Sequence, residues 1–156
     1  MADIAPAPAL ADPAPLRIGE HFGRSLRYGE ARIAEFARMS GDRNPLHQPC
    51  GAARDSAFAG VIASGQHTAA LMMGLMASHF SRNDDGVRRE MLCLNANFAF
   101  KAPIRAETDV DMRWVVSALE HNRRLGGWVG QLNGSAFSGG TDCVIARATV
   151  LVKRLD

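Results

Sequence analysis

At 156 residues the chain has the size of one ordinary domain, large enough to hold a core without disulfide or metal staples. Apolar residues at 47%, charged residues at 22% and a net charge of +2 describe a globular protein, and the thinly scattered Lys and Arg exclude a nucleic-acid-binding surface. No apolar run reaches the ~18 residues that cross a membrane, so a cytoplasmic protein with no membrane partner is expected.

The first fifteen residues, MADIAPAPALADPAP, hold four of the seven prolines and read as a flexible arm. They lack the basic start and continuous apolar run of a signal peptide. A single domain is expected over 16–156. Leu16 to Tyr28 carries a weak strand signal, loosened by two glycines. From Glu30 the period changes: Ile33, Phe36, Ala37 and Met39 fall at helical spacing, which predicts a helix over Glu30 to Met39 that Ser40-Gly41 ends.

Asp42 to Ala59 reads as a loop with one short helical turn around Ala52 to Asp55. Asn44-Pro45 forms a stiff corner within it, because the residue before proline is held away from helical angles. A helix is predicted from Gly65 to Phe80. It is apolar on most of its circumference, which predicts a helix buried nearly all round, and Ser64 or Gly65 stands where its N-terminus begins. Ser81 to Glu90 reads as a polar loop. Thereafter MLCLNANFAF, AETDVDMRWVVSALEH, RRLGGWVGQLNGSAF and DCVIARATVLVKRL alternate like successive antiparallel strands. One central helix followed by long strands predicts an α+β fold, a sheet curled around a helix.

Cys50, Cys93 and Cys143 are odd in number, far apart and outside any CxxC spacing, so neither a disulfide framework nor a zinc site is expected. The candidate chemistry lies in FARMSGDRNPLHQPC, Phe36 to Cys50, where Asp42 and His47 flank the Asn44-Pro45 corner. On spacing alone Asp42 reads as a turn or capping aspartate, and His47 as a loop histidine bonded to a carbonyl. Taken together, just before an apolar helix with glycine at its start, they point to proton transfer.

FARMSGDRNPLH followed by AFAGVIASGQHTAALMMGL resembles the MaoC-like dehydratases, which include the (R)-specific enoyl-CoA hydratases. NFAFKAPI, Asn97 to Ile104, is similar to the strand-to-turn segment of that family. The resemblance implies the hot-dog fold, a homodimer or dimer of dimers, and an acyl-CoA thioester as substrate, with no cofactor and no metal. It places the catalytic pair on Asp42 and His47, the supporting turn asparagine on Asn44, and the oxyanion-hole N–H on Gly65. Two departures stand out: Ser64 replaces a frequent histidine, and Pro49 replaces a frequent aspartate two residues after the catalytic histidine.

Hydration of a 2-enoyl thioester adds hydroxide to C3 and a proton to C2. A carboxylate and an imidazole around one water suit that exchange as a single coupled pair. The free N–H groups of a helix start suit the charge on the thioester oxygen, and glycine admits the thioester closely. Ser64 and His67 are candidate pocket residues, though His67 reads equally as a packed core histidine. Arg82, Arg88, Arg89 and Lys101 are either CoA-phosphate contacts or solvated surface. The competing functions are a hot-dog acyl-CoA thioesterase and a non-catalytic acyl-CoA-binding protein.

Overall fold

The computed structural model describes residues 13–155; the proposed arm lies outside the described residues up to position 12. The elements run β1 (His21–Arg27), α1 (Glu30–Ser40), a 3-10 turn (Pro45–His47), α2 (Gly51–Arg54), α3 (Gly65–Phe80), β2 (Arg89–Phe100), β3 (Asp109–Asn122), β4 (Gly127–Ser138) and β5 (Thr141–Arg154). The strands form one antiparallel sheet in the order β1-β3-β4-β5-β2, and α3 packs against four of them, β1 to β4. This is the expected α+β arrangement of a sheet curled around one helix.

Alternation decides which face of the sheet is inside. Val110, Met112, Trp114 and Val116 of β3 point inward and are buried, as are Val144, Ala146, Ala148, Val150 and Val152 of β5. Trp114 joins the sheet to the helix: its buried Nε1–H donates to the Met72 carbonyl of α3 at 2.9 Å. The indole has room because Gly134 on β4 lacks a side chain. A Cβ there would stand 2.5–2.8 Å from three ring atoms.

Two expectations need correction. Although α3 is apolar almost all round, the structure buries only one side of it, through His67, Thr68, Met72, Met76 and Phe80. Ala70, Met73, Gly74 and Ala77 are exposed. The sheet of one chain is too narrow to enclose a helix, so apolar composition does not translate into full burial. Secondly, the polar segment after α3 is shorter than predicted, because Arg89 and Glu90 already belong to β2. Arg89 is no solvated arginine. Its side chain is buried, and its Nη1 donates to the carbonyls of Arg82 and Val87, both at 2.9 Å, and to Asp85 Oδ1 at 2.8 Å. The guanidinium therefore draws the α3–β2 connection around itself, and it holds the Asp85 carboxyl well below the usual carboxylate range.

Replacing Gly134 with alanine tests the Trp114 packing. Overfilling a closed core typically costs about 1–3 kcal/mol, so the unfolding free energy of Gly134→Ala is expected to fall by that amount, read as a lower urea midpoint at an unchanged m-value.

Candidate active site

The loop that carries Asp42 and His47 is built by backbone hydrogen bonds in sequence order. Gly41 ends α1 at φ 73°, in the left-handed region that glycine enters freely. The Asp42 amide then donates back to the Ala37 carbonyl at 2.8 Å, which turns the chain across the helix end. One carboxylate oxygen of Asp42, Oδ1, accepts the Asn44 amide at 2.9 Å, leaving Oδ2 to face His47. Asn44 Oδ1 accepts the Leu46 amide at 3.1 Å and caps the 3-10 turn that Pro45 starts and His47 ends.

His47 is buried and held through Ile62. Its Nδ1–H donates to the Ile62 carbonyl at 2.8 Å, while the Ile62 amide donates to the Leu46 carbonyl at 3.1 Å. With the proton on Nδ1, the lone pair of a neutral imidazole is on Nε2. Nε2 stands 3.7 Å from Asp42 Oδ2, beyond direct hydrogen-bond length. The sequence alternatives for these residues merge: Asp42 does shape a turn and His47 does bond a carbonyl, and those bonds aim their remaining atoms at each other.

Downstream of Ile62, Ala63 donates to the Ile104 carbonyl at 2.8 Å, and Ala106 donates to the Val61 carbonyl at 2.9 Å. This short ladder fixes the start of α3, where Ser64 is the N-cap and its Oγ accepts the His67 amide at 3.2 Å. Gly65 is the first helical residue. His47 and Gly65 line one cavity of about 530 Å³, with Phe58, Thr68, Phe100 and Lys101 among its other walls. Asp42 is not among the walls of this cavity and borders an open groove along α1 with Ala34, Glu35 and Arg38.

The other candidates have different places. Asn44 is exposed and its side-chain oxygen is used in the cap, so it supports the turn and does not line the cavity. Ser64 is buried and capping. His67 points into the core, stacked on Phe36 at 4.4 Å between centroids and edge-on to Tyr28 at 5.0 Å. Burial, reinforced by the Arg32 guanidinium, pushes its pKa down to about 4. Three features carry no clear mark in the sequence. The Ile62 carbonyl is a backbone atom without a residue-type signal. Thr68 Oγ1, at the cavity wall, meets the buried Tyr28 hydroxyl at 3.0 Å across 40 positions of chain. The Phe100 ring lies on Gly65, although its place in an alternating apolar strand was visible.

His67 generates a pH prediction. Its pKa is lower in the folded state than the ordinary value near 6.5, so the unfolded chain binds the proton more readily. Its contribution is complete above about pH 6.5 and is lost as pH falls towards 4, by up to about 3 kcal/mol for a shift of this size. The urea midpoint of the natural protein is expected to drop more steeply between pH 7 and pH 4.5 than that of His67→Phe. Parallel curves would remove His67 as the cause.

A family model for the MaoC like domain matches residues 10–128. An (R)-specific enoyl-CoA hydratase from Aeromonas caviae is 30% identical over 110 residues, covering 70% of this chain and 78% of the relative. The solved structure of an (R)-hydratase from A. caviae involved in PHA biosynthesis superposes with a TM-score of 0.75 at 28% identity, covering 87% of this chain and 96% of that one. A MaoC-like dehydratase from Rhodospirillum rubrum gives 0.71 at 26% identity, covering 90% and 95%. The sheet curled around α3 is thus the hot-dog fold, and this chain belongs to the MaoC-like domain family.

Proposed function

We propose that the protein is a hydro-lyase that reversibly hydrates trans-2-enoyl-CoA to the (R)-3-hydroxyacyl-CoA. The observation that carries this reading is the pairing of His47 Nε2 with Asp42 Oδ2 at 3.7 Å beside a cavity walled by Gly65. A water within hydrogen-bond reach of both atoms completes a triangle on that base and meets two acceptors, the imidazole lone pair and a carboxylate oxygen. The pair takes one proton as the water oxygen bonds to C3, and a proton returns to C2, so the elements of water are added without a cofactor. The Gly65 N–H, in the first turn of α3, has no partner within the helix and serves the thioester oxygen as negative charge develops there. The (R) configuration rests on the likeness to the (R)-specific enoyl-CoA hydratase of Aeromonas caviae.

A homodimer is part of the same reading. Among the described residues β2 is an edge strand that pairs only with β5, and its Leu92 and Leu94 are exposed. A second copy added along this edge would satisfy the free backbone groups and cover apolar side chains.

Loss of the enoyl chromophore at unchanged free thiol is the expected assay result. Thiol release would instead identify a thioesterase, and tight binding without either change a non-catalytic acyl-CoA protein. Asp42→Asn and His47→Ala are each expected to lower kcat by about 10²–10⁴-fold with the circular-dichroism spectrum retained, as removal of a positioned acid or base does. Near-natural turnover in either folded variant rejects the assignment.

A further inference from the structure

A further cavity, of about 210 Å³, lies beyond the C-terminal end of α3, where the chain before β1 meets the α3–β2 connection and the end of β5. The helix has 16 residues, so about 24 Å separates this end from Gly65 and the His47 cavity. Four arginines, Arg17, Arg82, Arg89 and Arg154, and two carboxylates, Glu20 and Asp85, are among its walls. Both carboxylates are already engaged. Glu20 Oε1 meets His79 Nε2 at 2.7 Å and Arg82 Nη2 at 3.2 Å, its Oε2 accepts the Arg17 amide at 2.9 Å, and Asp85 is bonded to Arg89. The walls therefore keep a surplus of two positive charges. The exposed Asp84, 3.8 Å from Arg82 Nε, stands outside them.

Three observations mark that surplus as unmet. Arg89 Nε is buried and has no hydrogen-bond partner, on a side chain that is only 5% exposed. Arg154 stands directly opposite Arg89 in the β2–β5 ladder, and like charges so placed cost stability. The Arg17 and Arg154 side chains are exposed and make no hydrogen bond or ion pair among the described residues.

We propose that this arginine-walled cavity binds a phosphate group, as inorganic phosphate or as the phosphate of a monoester, at a site separate from the His47 cavity. Its volume is below the roughly 300–1,000 Å³ of pockets that enclose drug-sized ligands, which suits a single phosphoryl group. Guanidinium groups match that ligand, since the planar fork gives two parallel N–H bonds to phosphate oxygens. A dianion here offsets the surplus charge and the repulsion between Arg89 and Arg154. The C-terminal end of a helix is by itself a poor neighbour for an anion. In this chain the His79 carbonyl at that end is covered by Arg82 Nη1, which donates to it at 2.6 Å. Bound phosphate joins three segments distant in sequence, and a ligand held only by the folded state stabilises it.

The test compares the natural protein with Arg154→Gln and Arg17→Gln, in sodium phosphate or phenyl phosphate against sodium chloride at equal ionic strength. Urea midpoints and calorimetric Kd values are read at a slightly alkaline pH, where phosphate is a dianion. Phosphate is expected to raise the midpoint of the natural protein, and each substitution to weaken its Kd by about tenfold or more, as loss of a charge-assisted bond does. In chloride Arg154→Gln is expected to be no less stable than the natural protein, because the cross-strand repulsion is gone. Phenyl phosphate bound as tightly as inorganic phosphate assigns the site to the phosphate of a larger molecule, and weaker binding of the ester assigns it to the free ion. Equal midpoints in phosphate and chloride, or a gain that either variant keeps in full, overturn the proposal. So does a KM for crotonyl-CoA that rises in Arg154→Gln in step with the lost phosphate affinity, which would make the cavity part of thioester recognition. If the natural protein turns over no enoyl thioester, the proposed activity fails by itself, and the phosphate affinities still decide this site.

Discussion

The backbone of Ile62 is the constraint on which the site depends. Its carbonyl takes the His47 Nδ1–H and its amide caps the Leu46 carbonyl, so one peptide group on each side fixes both ring orientation and loop position. Its neighbours pair with Ile104 and Ala106, beyond the end of β2, and the next residues begin α3. A single extended segment thereby ties the helix start that follows it to two groups farther away in sequence, the imidazole and the turn after β2. Because the donor nitrogen is spent on a carbonyl, the other nitrogen is left as an acceptor facing Asp42.

A second layer holds α1 against α3 and is aromatic. Phe36 stacks on His67, and Tyr28 meets His67 edge-on while its hydroxyl reaches Thr68. A buried imidazole fits this place only as a neutral ring, which is why its proton affinity falls so far. The position of Asp42 follows from this packing, since its amide is tied to the last turn of α1 and moves with that helix. Trp114, bonded to Met72, performs the corresponding service between the sheet and the middle of α3.

The exposed side of α3 and the free edge of β2 belong to one surface. Met73 and Leu94 border the same groove, and Leu92 is among the most exposed apolar residues described. The sheet of one chain curls around one side of its helix and stops there, so apolar surface next to the His47 cavity is left outside this chain's own core.

Local chemistry made much of this legible in the sequence. The extent of α1, its stop at Gly41, the Asn44-Pro45 corner, the start of α3 and the strand character of the last four segments all rest on neighbouring residues: period, caps and turn formers. The closeness of Asp42 and His47 was legible for the same reason, since five residues and one turn separate them. What only the tertiary structure decided were contacts made across the chain. His67 lies in the core and not on the cavity wall, because Phe36 and Tyr28 close on it from other elements. Arg89 became a buried clasp because the loop before it folds back over its guanidinium. The half-exposed helix is of the same kind: composition records how apolar a helix is, but the width of the sheet that faces it sets how much of it is covered.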